Sequence, residues 1–184
     1  MRRNLALFAV FLLTLAATSG CTTAYKAAVE ERSLSTQVAD TKIKGTIVEK
    51  FVADDKVKAL DISPECYEGH VYLLGEYDTA AQKDRAVEIA GKVEGVKKIT
   101  TYLLPKKKDD ACGTSANLKI TAAVTAELIK DKDIWSTNVN VKTVQCNVVL
   151  LGIVGTKDEA NKSIAHARGV EGVRKVVSYL KPVK

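Results

Sequence analysis

The sequence predicts an α+β protein made of two tandem αββαβ domains, each a three-stranded mixed sheet packed by two helices. Three observations carry this prediction. First, VEGVKKITTYL at residues 93–103 returns as VEGVRKVVSYL at residues 170–180, 77 positions later. Aligned without a gap at that offset, residues 71–105 and 148–182 are identical at 14 of 35 positions, which marks a duplicated structural unit. Second, Ile43, Ile47 and Phe51 fall on Ile120, Val124 and Leu128 at the same offset, spaced i, i+4 and i+8 along one helix face. Third, the stretch after this helix alternates and turns in both copies, as a hairpin does.

The helix opens each copy, with Asp40 and Asn117 expected as its N-caps. LDISPECYEGHVYLLGEY and NVNVKTVQCNVVLLGIV then read as hairpins, turning near Glu68-Gly69 and Gln145-Cys146. Pro64 assigns the first strand to a sheet edge, because proline cannot donate to a ladder. VYLL and VVLL are apolar in both parities, which suits a central strand. Thr79 with Gln82, and Thr156 with Glu159, have capping-box spacing and start a second helix. Its apolar face comprises Val87, Ala90 and Val93, matched by Ile164, Ala167 and Val170, and Gly95 or Gly172 is expected to end it as a C-cap. A right-handed crossover lays the last strand parallel to the second. These elements give domains at residues 40–104 and 118–184, joined by a linker over 105–117, PKKKDDACGTSAN. A unit of about 64 residues buries only about 60% of its unfolded surface and is marginal alone, so the two copies are expected to pack on each other.

The N-terminus carries an export signal. Arg2 and Arg3 precede an apolar run from Leu5 to Ala17, about 13 residues against the ~20 that a membrane span needs. The following TSGC resembles a bacterial lipobox, with Thr18 where that pattern usually has Leu. The resemblance implies that residues 1–20 are a signal peptide, that Cys21 is the acylated first residue, and that residues 21–39 form a tether. Thr22 after the cysteine, in place of Asp, implies sorting to the outer membrane, on its periplasmic face. Ordinary signal-peptidase cleavage nearby is the alternative.

The repeated pattern G-H-V-Y-L-L-G … V-E-G-V-K-K-I, returning as V-V-L-L-G … V-E-G-V-R-K-V, resembles the BON domain. The upstream ERSLSTQVAD (Glu31 to Asp40) is similar to the segment preceding the first domain in dual-BON-domain outer-membrane lipoproteins of the DolP type. The resemblance covers residues 40–184 and implies an αββαβ fold, no enzymatic activity and no cofactor, anionic phospholipid as partner, and a role in envelope integrity. Cys146 departs from it, standing at a turn position where the family usually has glycine.

Residues capable of catalysis are sparse. His70 and His166 align with Asn147 and Ile89, so the copies share no histidine site, and both read as structural. The chain has no P-loop, no dinucleotide fingerprint, no Cys-x-x-Cys and no nucleophile elbow. A hydrolase is the minority reading.

With Cys21 set aside, Cys66, Cys112 and Cys146 remain, in a compartment that permits disulfides. The first helix and the next strand of copy two run in opposite directions, which returns the turn at Cys146 to the helix start near Cys112. This favours a Cys112–Cys146 bridge, with Cys66 a partly buried thiol; three reduced thiols are the alternative.

Charge separates the copies. Residues 41–104 hold 10 Lys+Arg against 11 Asp+Glu, whereas residues 118–181 hold 10 against 6. The basic second copy favours anionic surfaces; an outer-membrane location disfavours nucleic acid. Trp135, the only tryptophan, stands where copy one has Lys58. Tryptophan favours the membrane interface, and Leu118, Lys119, Lys130, Lys132 and Trp135 are the candidate phospholipid-binding residues. Packing of Trp135 between domains or at the sheet's end is the alternative. A rival function is an adaptor that regulates an envelope assembly or secretion factor as its protein partner.

Overall fold

A computed structural model of the chain describes residues 32–108 and 111–184. The segment expected to be a signal peptide and Cys21 lie outside the described residues. Each copy forms helix, strand, strand, helix, strand: α1 (Leu34–Val52), β1 (Ile62–Tyr67), β2 (His70–Tyr77), α2 (Ala80–Gly91) and β3 (Lys98–Pro105) in the first. The second has α3 (Thr114–Lys130), a short 3-10 turn (Ser136–Asn138), β4 (Asn140–Val144), β5 (Asn147–Val154), α4 (Lys157–Gly169) and β6 (Lys175–Pro182). The sheets have orders β1-β2-β3 and β4-β5-β6. The first pairing in each is antiparallel and the second parallel, so Pro64 does sit on an edge strand and β2 and β5 are central.

The apolar runs of β2 and β5 are explained by their two faces. Val71 and Leu73 point toward α1 and α2, packing with Ile47, Phe51, Ala86 and Ala90. Val148 and Leu150 pack in the same way against Val124, Leu128 and Ala167. Each fully buried Phe, Ile, Leu or Val contributes about 1.5–3 kcal/mol. The opposite parity, Tyr72 and Leu74 with Val149 and Leu151, joins one further cluster that includes Tyr102, Val177 and Tyr179. The two sheets therefore stack through these residues, with helices on the outer faces. Polar bonds fix the stack: Gln145 Nε2 donates to Glu76 Oε1 and to the Pro105 carbonyl at 2.7 Å each. Glu65, buried, accepts from Lys44 of its own copy at 2.8 Å and pairs with Lys142 of the other at 3.0 Å.

Two expected caps lie elsewhere. Ser33 caps α1, its side chain accepting from the Thr36 N–H, and Gly113 occupies the N-cap of α3. Asp40 and Asn117 fall inside their helices and turn inward to the hairpins, because the helices begin upstream of both. Likewise α2 and α4 stop at Gly91 and Gly169. Gly95 and Gly172, with φ of +88° and +83°, lie beyond those ends in turns closed by Val96 N–H to Val93 O and Val173 N–H to Val170 O. Thr79 and Thr156 do cap α2 and α4, accepting from Gln82 and Glu159 N–H. The Gln82 and Glu159 side chains reach back to the N–H of Asp78 and Gly155, one residue before the cap. Gly75 and Gly152 occupy equivalent positions with φ of +136° and +143°, and a Cβ at either would lie 1.9 Å from the carbonyl oxygen of Asp61 or Asn138.

Candidate membrane-facing surface

Helix α3 buries Ile120, Val124 and Leu128 and turns its other side outward. Leu118 and Ile129 are about two-thirds exposed, at 66% and 65%. Eleven residues at 100° each place these two within about 20° of one line, ~16 Å apart along the axis. Ala122 lies between them on the same face and is exposed. Lys119 and Lys130 flank the line on one side, both exposed, with Lys130 paired to Glu127 at 2.6 Å. Lys132 and Trp135 are exposed in the segment that follows the helix. The Trp135 backbone N–H donates to Glu159 Oε1 at 2.9 Å, which ties the segment to α4, while its side chain remains 51% exposed and outside the cluster between the sheets. Of the five sequence candidates, three thus share α3 and two sit beyond its C-terminus. Ile129 and Ala122 escaped the sequence reading, although their spacing from Leu118 was the available signal.

The cysteines and the first-helix polar residues hold the hairpin turns. Cys112 and Cys146 form a disulfide with Cα atoms 5.3 Å apart. In both hairpins the two turn residues have positive φ: Glu68 and Gly69 at 55° and 78°, Gln145 and Cys146 at 49° and 59°. This is the type I′ geometry that matches strand twist. In copy two, Asn117 Oδ1 accepts the Cys146 N–H at 2.9 Å. In copy one, Asp40 accepts the N–H groups of Glu68 and Gly69 at 2.8 and 2.9 Å, the Arg32 guanidinium at 2.6 Å and the Cys66 thiol at 3.2 Å. Burial pushes the Asp40 carboxyl up, but the Gly69 and Glu68 donors, Cys66 and Arg32 together outweigh it and hold it below its ordinary value. Burial and the neighbouring Asp40 push the Cys66 thiol up to about 12, so it is no nucleophile near neutrality.

The histidines lie in different copies. His70 Nε2 bonds Thr100 Oγ1 at 2.8 Å and Nδ1 bonds the Tyr72 hydroxyl at 3.0 Å, where the His70 ring stacks on Tyr72. Burial, then Lys98, keep the His70 imidazole below its ordinary value. His166 Nε2 bonds Asp131 Oδ2 at 2.8 Å across α4 and the end of α3. Among the described residues no group of three His, Cys, Asp or Glu side chains is placed to hold a metal ion.

The BON domain family pattern matches residues 39–104 and 117–182, the two copies described above. The chain belongs to the BON-domain family. It is 29% identical over 163 residues to the outer membrane lipoprotein DolP of Haemophilus influenzae, covering 88% of this chain and 84% of that protein. The osmotically-inducible protein Y of Escherichia coli is 29% identical over 144 residues, covering 77% and 72%. A 21 kDa hemolysin of Actinobacillus pleuropneumoniae is 28% identical over 155 residues, covering 83% and 80%. Among solved structures, CdsD, a structural protein of the Chlamydia trachomatis type III secretion system, aligns over 78% of this chain and 63% of its own at 13% identity and a TM-score of 0.32. Among the described residues no helix is long and apolar enough to cross a membrane.

Proposed function

We propose that this chain is a non-enzymatic lipoprotein, anchored through Cys21 to the periplasmic face of the outer membrane, whose second BON domain binds anionic phospholipid and supports envelope integrity. The observation that carries the reading is the outward face of α3. Large apolar side chains stand exposed at Leu118, Ile129 and Trp135, beside Lys119, Lys130 and Lys132, on the side of the domain away from its core. An apolar line inserts at the headgroup boundary, and each Lys near an anionic surface adds about 1 kcal/mol. Trp135, with an apolar ring and a polar N–H, suits the same depth. The name of the Haemophilus relative supports the location. The test is sedimentation with vesicles, using the chain from Thr22 so that an acyl group cannot contribute. Binding to phosphatidylglycerol vesicles and not to phosphatidylcholine vesicles is expected, and equal binding to both removes the electrostatic part.

The rival reading, an adaptor for an envelope assembly or secretion factor, is favoured by exposed apolar residues on α1, at Leu34, Val38, Val48 and Val52. Co-purification of a stoichiometric protein without vesicle binding decides for it.

A further inference from the structure

The outward face of α1 is apolar along its length. Leu34, Val38, Val48 and Val52 are exposed there, and by helical spacing they lie within about 40° of one line, opposite Ile43, Ile47 and Phe51. Thr41 and Gly45 complete that line, also exposed. Nothing among the described residues explains Gly45. An added Cβ would meet no atom of a described residue within 4 Å, its backbone is helical, and glycine within a helix is less favourable than alanine. What glycine does provide on an apolar helix face is close approach of another backbone.

Lys42 and Glu49 flank the line on the same side, seven residues apart, and neither forms an ion pair with a described residue. We propose that the part of this face over residues 41–52 is the contact of a two-fold homodimer in which α1 of one copy packs antiparallel on α1 of a second copy. In an antiparallel pair, like flanks meet. Lys42 of each copy then faces Glu49 of the other, and the two-fold axis makes that pair twice. The same register sets Val48 of one copy over Gly45 of the other and Val52 against Thr41. A parallel pair brings the Lys42 and Glu49 flank against the opposite flank of the other helix and loses the match.

The equivalent face of α3 cannot pair in this way. Leu118 replaces Thr41, Ala122 replaces Gly45, and Ala126 replaces Glu49, while Lys119 retains the charge of Lys42. The gap is filled and the carboxylate is gone. Conversely, Glu49 offsets Lys42 beside the α1 line, so this flank has no net charge to draw it to an anionic membrane, and a second copy is the better occupant. Contact along some twelve residues of one helix falls short of the ~1,000 Å² of a stable interface, so the dimer is weak and dependent on concentration.

Sedimentation equilibrium of the full chain in density-matched detergent measures it. Gly45→Leu fills the gap and is expected to weaken the dimer by about tenfold, whereas Ala122→Leu, its counterpart on α3, changes it by less than about twofold. Lys42→Glu weakens it by about fivefold, and adding Glu49→Lys restores it, because the two reversed charges attract again. Gly45 is exposed, so these variants fold, and circular dichroism confirms that they do. A chain that stays monomeric at every concentration overturns the proposal. So does a double charge reversal no tighter than the single, or an Ala122→Leu effect equal to that of Gly45→Leu. Loss of phosphatidylglycerol vesicle binding by Lys42→Glu in a monomeric chain would instead assign the α1 face to the membrane, and also overturns it.

Discussion

The two copies hold the same hairpin turn against the same helix position with different chemistry. In the first, the Asp40 carboxylate gathers two turn N–H groups, a thiol and a guanidinium. In the second, a neutral Asn117 accepts one N–H and the Cys112–Cys146 bridge does the rest. Backbone follows the chemistry: Gly69 takes its φ of +78° without strain, while Cys146 takes +59° as a residue with a Cβ, a conformation that costs about 1–3 kcal/mol. Duplication has preserved the geometry of the turn and left the means of holding it free to diverge. The outward faces of α1 and α3 diverge under the same freedom.

The largest effect expected from breaking this comparison is loss of the covalent lock. Replacing both Cys112 and Cys146 by Ser should lower unfolding free energy by about 3–4 kcal/mol in denaturant titration, given a loop of 34 residues. Cys146→Gly in place of Cys146→Ser should recover about 1 kcal/mol of that loss, since glycine accepts positive φ. Equal stabilities would show that Cys146 carries no strain.

Next in size is the ionic lock. Asp40→Ala leaves the N–H groups of Glu68 and Gly69 without their acceptor and should cost about 2–3 kcal/mol; Asp40→Asn, which copies the second domain, should cost less. The lock should also titrate. The folded carboxyl titrates below its ordinary value of 3.8, so its stabilisation is present above that value and is lost as pH falls through the lower, folded value. Amide exchange at Gly69 should therefore accelerate relative to that at Cys146 in strong acid, and the ratio should stay flat in Asp40→Asn.

Smaller effects belong to the outer faces. Lys119→Gln and Trp135→Ala should each weaken binding to anionic vesicles by about fivefold, the scale of ~1 kcal/mol per group. Lys42→Glu on α1 should leave vesicle binding unchanged. The least perturbing change is Gly45→Ala, which should raise the stability of dilute protein by up to about 1 kcal/mol in thermal unfolding through helix propensity alone.

Much of this architecture was legible because it repeats. Ile43, Ile47 and Phe51 mark one helix face, and the double apolarity of VYLL marks a central strand. The cover itself, Tyr72 and Leu74 against Val149 and Leu151, lies far apart in sequence and has no local signature. Asp40 and Asn117 were misplaced for a related reason. Each has the composition of a cap, yet its partners lie almost thirty residues onward in a turn, and Ser33, the true cap of α1, stood outside the repeat. Ile129 carries no local mark either: it stands beside the charged Lys130, and its alignment with Leu118 shows only once the helix face is drawn.

Trp135 stands half exposed and alone of its kind in the chain. That solitude makes the protein its own optical reporter. Emission from one indole shifts toward the blue when it leaves water, so an encounter between this edge of the second domain and a bilayer can be followed in the unlabelled native chain, in real time, against a background with no other tryptophan.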